Sequence, residues 1–266
     1  MADLEVTITH NLEIPGEVAE LLTRKWIALD WGRKGPDPDK YVGGARSQIE
    51  LFHEMKSEGA AVLAAYKSAA KARGQRLIGW VPKGADFLSL NGLLCLPLER
   101  ARLVDASRSF LGNLSPRSCT IQRCSERSRG RLAALVHERA VERSVWSLHH
   151  RDVEVLVANY LMARMDCHAT WNGAHSFEDL DHAAITAEGR ELLAQTTVSI
   201  RLVREKATRL LDFRQPHRDL CFFGPEASRH ECPPGIRYVA LEEVFASLDA
   251  THSGRWLINL MLVAST

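Results

Sequence analysis

A chain of 266 residues with 45% hydrophobic and 25% charged side chains is too long for one small domain and suits two soluble globular domains of ordinary size. The formal net charge of +1 averages over uneven stretches: eight Arg face three Glu between Arg108 and Arg143, and six basic residues face Glu205 and Asp212 between Arg201 and Arg218. No apolar run approaches the roughly 18 residues of a membrane span. The six Cys include no CxxC pair or zinc-finger spacing, which points to a reducing cytoplasm.

In chain order, the alternating run Leu4 to Ile8 predicts a short strand, and Pro15-Gly16 opens a helical pattern that continues through Trp26. Gly, Pro and Asp crowd residues 32–39 as in a loop. A second helix is expected from Ala45 to Lys56, with Ile49, Leu51, Phe52 and Met55 on its apolar face. Short apolar runs then follow at Ala61–Tyr66, Arg76–Val81, Leu93–Leu98 and Ala101–Asp105. Their Lys/Gly/Pro turns predict a small curved sheet or barrel. Trp26, Trp31, Tyr41, Tyr66 and Trp80 suit either its core or an aromatic platform for a ligand.

Residues 106–145 are rich in arginine and read as a basic connection, with a helix from Arg129 to Val141 and a domain boundary near 140–146. The expected organisation is therefore an N-terminal β-rich recognition domain over 1–105, that connection, and a second domain over 146–266. The basic stretches can follow a phosphate backbone, and they equally suit solvated helix faces and a linker.

The second domain reads helix, strand, strand, strand, helix, strand, strand, helix, helix. The first helix spans Val153–Met165, the strands Cys167–Trp171, Asp181–Thr186 and Arg190–Ser199, and the next helix Leu202–Phe213. Strands at Asp219–Phe223 and Ile236–Ala240 precede helices at Leu241–Leu248 and Gly254–Val263. Residues 187–190 contain a glycine and predict a hairpin turn. Strands bracketed by helices at this spacing imply a mixed sheet with helices on both faces, hence an α/β domain in a chain that is α+β overall.

Several polar residues stand beside or within these apolar patterns, where they suit either an ordinary structural place, such as a first helical turn, a loop before a strand or a strand leaving the core, or a site. Val153, Leu156, Val157, Tyr160 and Leu161 form the buried stripe of the first helix, and Glu154 stands at its edge, as either an ordinary first-turn acid or a group reaching a strand end. Asp179 and Asp181 flank Leu180 and so share one strand face, a pair suited to Mg²⁺ with its preference for hard oxygen ligands. Gln195, Thr196 and Thr197 interrupt an apolar strand. Gln195 and Thr197 share a face, where an amide oxygen can ligate a metal and a hydroxyl can donate to water or phosphate.

The segment from Asp152 to Ser199 resembles the restriction-endonuclease-like PD-(D/E)XK fold, and within it the Mrr-like branch. Val153-Glu154-Val-Leu-Val-Ala-Asn-Tyr-Leu161 is similar to the first core helix of that family, Asp181 to its strand aspartate and Gln195 to its Glu/Gln position. Thr197 stands where the family carries lysine, and Lys206 or Arg204 in the next helix can return a cation to the site. The resemblance implies metal-dependent hydrolysis of DNA phosphodiesters in a restriction or antiviral defence setting. It assigns Glu154, Asp181, Gln195, Thr197 and Lys206 to catalysis, and Asp179, Asp181 and Gln195 to Mg²⁺ or Mn²⁺. Arg201, Arg204 and Arg209 would steer DNA. It also implies a homodimer or a larger defence complex. The alternative is a degenerate nuclease fold that serves as a nucleic-acid-binding or assembly module. A small-molecule enzyme using His or Cys is disfavoured, because His182 should point away from Asp181 and no nucleophile triad, P-loop or GxGxxG is present.

Overall fold

The computed structural model describes residues 3–10, 15–66, 74–107, 120–124, 130–172 and 180–262. Residues 108–119 and 125–129 of the arginine-rich stretch, and Asp179, lie outside them. The chain divides into two compact units, Met1–Val141 with Val263–Thr266, and Glu142–Leu262. Among the described residues no helix is long and apolar enough to cross a membrane.

The first unit opens with β1 (Glu5–His10), α1 (Pro15–Arg24), β2 (Trp26–Leu29) and α2 (Gly43–Glu58). Five strands follow: β3 (Ala60–Tyr66), β4 (Gln75–Val81), β5 (Leu88–Leu90), β6 (Leu93–Pro97) and β7 (Glu99–Asp105). It closes with β8 (Ile121–Arg123) and α3 (Arg131–Val136). These strands form two sheets, β7-β4-β3-β1-β8 and β2-β6-β5, so of the expected curved sheet or barrel the unit forms open sheets, one five-stranded and one three-stranded. Trp26 starts a strand rather than ending a helix, because Lys25 takes a left-handed backbone (φ 57) that breaks α1.

The stretch expected to connect the domains is partly built into this unit. β8 pairs antiparallel with β1, and α3 packs Leu132, Ala133 and Val136 on Ala61, Leu63 and Ile78. Buried Glu5 accepts the Ala133 N–H at 2.8 Å and so satisfies one of the free donors at the start of α3. The helix stops well before Val141 because Glu138 is left-handed (φ 55). The five aromatics form no single platform: Tyr41 and Tyr66 are buried with Trp26 and Trp31 in one core, whereas Trp80 packs with α3 in another.

The second unit contains α4 (His150–Arg164), β9 (Cys167–Asn172), β10 (His182–Thr186), β11 (Glu191–Thr196) and α5 (Val203–Leu210). After them come β12 (Arg218–Gly224), β13 (Arg237–Ala240), α6 (Leu241–Asp249) and α7 (His252–Met261). This is the αβββαβ order anticipated from periodicity. The sheet order is β13-β12-β11-β10-β9, with β11, β12 and β13 parallel and β9 and β10 antiparallel, so the sheet is mixed.

Period-two alternation sorts the strands between two cores. Leu192, Ala194, Cys221 and Phe223 face α4, α6 and α7, while Leu193, Leu220 and Phe222 face Val203, Ala207 and Leu210 of α5. Gln195 follows this alternation onto the α5 side, where an apolar residue would be expected.

Candidate functional site

The β10–β11 hairpin sets the site. Its turn carries Gly189 at φ 76, and the Gly189 N–H donates to the Thr186 carbonyl at 2.9 Å. The resulting register pairs Ile185 with Glu191 and His182 with Ala194. One residue further on, Asp181 lies across from Gln195, with its own N–H donating to the Ala194 carbonyl at 3.1 Å. Asp181 Oδ2 accepts the Thr196 N–H at 2.7 Å, which fixes the carboxylate and leaves Oδ1 for another partner. That clamp is a backbone group and leaves no mark in the sequence.

Gln195 is completely buried, and among the described residues neither its amide oxygen nor its amide nitrogen has a hydrogen-bond partner. Each unmet buried polar group costs on the order of 1–3 kcal/mol.

Glu154, in the first half of α4, is half-buried. Burial pushes its carboxyl above its ordinary value, the nearby Asp181 carboxylate pushes it the same way, and Lys206 pulls it back. Burial likewise raises Asp181, against the opposing Thr196 N–H and Lys206. Glu154, Asp181 and Lys206 therefore lie within electrostatic reach of one another, and the single cation does not offset the burial of the two acids.

Lys206 arrives from α5, at the edge of the stripe Val203, Ala207 and Leu210 that the helix buries, and is itself half-buried. Thr197 explains how the chain gets there. Its N–H donates to the Phe223 carbonyl at 2.9 Å, extending the ladder one step past β11. Its hydroxyl oxygen then accepts the Ser199 N–H at 3.2 Å, a local turn that leads through the 3₁₀ segment Ile200–Leu202 into α5. The hydroxyl proton remains available for donation.

Arg201 and Arg204 are exposed, and among the described residues neither has a carboxylate within ion-pair distance. Arg209 is exposed too, but it is bound to Glu205 one helical turn away at 2.6 Å, so its charge is already engaged. His182 pairs with Ala194 on the α4 side of the sheet, away from Asp181. Burial pushes its imidazole down to about 4, and among the described residues neither ring nitrogen has a partner.

Asp181 and Gln195 face each other across one strand pair with oxygen-bearing side chains, the kind of ligand a hard divalent cation takes, and Glu154 and Asp181 are half-buried acids whose desolvation is not fully offset. Among the described residues no three His, Cys, Asp or Glu side chains are grouped to hold an ion by themselves. A bound metal would therefore depend on the Gln195 amide and complete its shell with water or phosphate.

No protein-family model matches the chain, and neither does any curated protein. Among solved structures it is similar to EndoMS bound to double-stranded DNA, at 10% identity and a TM-score of 0.24, over 64% of this chain and 73% of that one. It is also similar to the MspJI restriction endonuclease bound to a 27-mer oligonucleotide, at 10% identity and a TM-score of 0.25, over 89% of this chain and 72% of that one. Likeness of this size assigns neither relationship nor activity.

Proposed function

We propose that the second unit is a metal-dependent DNA endonuclease of the restriction or defence type, with an Mrr-like site in which Lys206 replaces the strand lysine. The observation that carries this reading is Gln195, a fully buried amide without a partner, across from Asp181. Asp181 and Gln195 would hold Mg²⁺ or Mn²⁺, with Glu154 contributing directly or through water and Asp179 as a further acidic candidate. When bound, the metal lowers the pKa of a water molecule and stabilises charge on the phosphoryl oxygens during in-line attack.

The remaining work falls to side chains. The Thr196 N–H keeps Asp181 oriented. Glu154, with its carboxyl raised by burial and by Asp181, is the more basic for it and can take the proton of the attacking water. The Lys206 ammonium offers positive charge to a non-bridging phosphoryl oxygen, and the Thr197 hydroxyl can donate to the same phosphate or to water. Arg201 and Arg204 attract the DNA backbone without reading its sequence.

The test is cleavage of supercoiled plasmid, methylated and unmethylated, with Mg²⁺ or Mn²⁺, comparing the native chain with Asp181→Ala. Metal-dependent nicking that disappears in the variant supports the nuclease reading. Salt-sensitive DNA binding without cleavage, unchanged in Asp181→Ala, overturns it in favour of a nucleic-acid-binding module.

A further inference from the structure

At the opposite end of the same strands from Asp181 and Gln195, where β11 and β12 begin, the second unit contains a cleft of about 730 Å³. That is within the range of pockets for small organic ligands, roughly 300–1,000 Å³. Its walls are the end of α4, the β10–β11 turn, the start of β12 and the segment before β13, with Cys221 among its deeper residues.

The charges in this cleft divide into those already neutralised and those that are not. Arg218 gives two N–H groups to Glu191 at 2.9 and 2.7 Å, and Asp219 accepts two from Arg190 at 2.9 and 2.6 Å. Both charges are thus engaged by residues outside the lining. Three guanidinium groups remain. Among the described residues Arg164 is tied only to neutral acceptors, the Ser247 hydroxyl at 2.9 Å and carbonyl at 3.2 Å. Among the described residues Arg214 and Arg237 have no carboxylate within ion-pair distance. The lining acids without an ion pair among the described residues are Asp166 and Glu188, and Glu188 also lies within electrostatic reach of Arg190.

Arg214 is also placed rather than adrift. Its guanidinium lies directly against Gly235, where a β-carbon would collide with it, and Gly235 has a left-handed backbone (φ 93) that disfavours any side chain. Arg237 is two residues away on the same wall, and its charge reaches Cys221 and Tyr160. Three uncommitted cations against two acids call for a ligand that is net negative and also carries hydrogen-bond donors.

We propose that this cleft binds a phosphorylated, hydroxyl-bearing small molecule of nucleotide size, with its phosphate on Arg214 and Arg237 and its hydroxyl groups on Asp166 and Glu188. Planar guanidinium forks suit phosphate oxygens, and the acids suit sugar hydroxyls as acceptors. The cleft is separate from the Asp181 end of the sheet, and this proposal stands whether or not that end cleaves DNA.

The test is calorimetric titration of the full chain with the 5′-nucleoside monophosphates, ribose 5-phosphate, inorganic phosphate and the unphosphorylated nucleosides. Saturable binding of a phosphomonoester but not of its nucleoside is expected. Arg237→Ala should weaken it about tenfold to a hundredfold, the worth of a charged hydrogen-bonding partner. Arg214→Lys should also weaken it, because the fork is lost. Gly235→Ala should do the same by displacing Arg214. Arg214 and Arg237 are exposed, so their variants keep the fold even where Gly235→Ala does not. Asp181→Ala should bind as the native chain does, which separates this cleft from the nuclease reading.

Equal binding of nucleoside and nucleotide, no saturable binding by any phosphomonoester, or Arg237→Ala binding like the native chain would each overturn the proposal. A further arm compares a short oligonucleotide with and without a 5′-phosphate. Binding by the phosphorylated oligonucleotide alone, lost in Arg237→Ala, would assign the cleft to a DNA end and overturn the small-molecule source.

Discussion

Replacing Lys206 with Met removes the cation that opposes burial at both Glu154 and Asp181. The aliphatic stem is retained, so packing at the edge of the α5 stripe changes little. Two effects follow. A preorganised charge facing the transition state is worth about 10²–10³ in rate, or about 2.7–4 kcal/mol, and nicking should fall by that factor. Lys206 also favours the ionised form of both acids, so its loss lets their carboxyl pKa values rise further. The acid limb of the pH–rate profile should then move to higher pH, with activity recovering only at more alkaline pH than in the native chain. The assay is initial-rate plasmid nicking across pH with Mn²⁺ held constant, alongside Thr197→Lys in the Lys206→Met background. Restoring a cation from the strand should recover part of the lost rate. A Lys206→Met enzyme within about twofold of native, with an unmoved acid limb, would refute the assignment.

Gln195→Leu should stabilise the metal-free protein by about 1–3 kcal/mol, because an unmet buried amide is replaced by an apolar group. The same change should abolish nicking, and denaturant unfolding with a cleavage assay reads both. In the first unit, His10 Nε2 accepts the Ala28 N–H at 3.0 Å, which leaves Nδ1–H for the Ala65 carbonyl at 3.3 Å. Burial holds this imidazole down at about 4 against 6.5 unfolded, so below pH 6.5 the unfolded chain binds the extra proton. His10 stability is therefore complete above about pH 6.5 and lost as pH falls towards 4, by about 1.4 kcal/mol per unit and roughly 3 kcal/mol in all. Urea unfolding at pH 7 and pH 5 should show about 2 kcal/mol of that loss in the native chain and much less of it in His10→Gln. Arg201→Ala combined with Arg204→Ala should weaken DNA binding and flatten its salt dependence, with the slope of log K against log salt reduced by about 2.

The second unit was readable because its elements carry clean periods. The stripe Val153, Leu156, Val157, Tyr160, Leu161 marks α4, and the alternation Leu192 to Ala194 marks β11. The turn at 187–190 fixes the register and so brings Asp181 opposite Gln195, a long-range contact implied by a local signal. The first unit was harder to read. β2 continues the apolar pattern of α1, and only the left-handed Lys25 separates them, a conformation without a residue-type signature there. β8 is only three residues long, so its pairing with β1 and not its own composition makes it a strand. At the candidate site, the Thr196 N–H is backbone and hence invisible in the sequence. The direction of Lys206 depends on how far the 3₁₀ segment rotates α5, which residue spacing does not specify.

Mn²⁺ titration followed by electron paramagnetic resonance measures, without any substrate, whether Asp181, Gln195 and Glu154 hold a divalent metal. Saturable binding to the native chain, lost in Asp181→Asn and in Gln195→Leu and weakened in Glu154→Gln, is the predicted result. Mn²⁺ binding that is absent from the native chain, or equal in the native chain and Gln195→Leu, would contradict it.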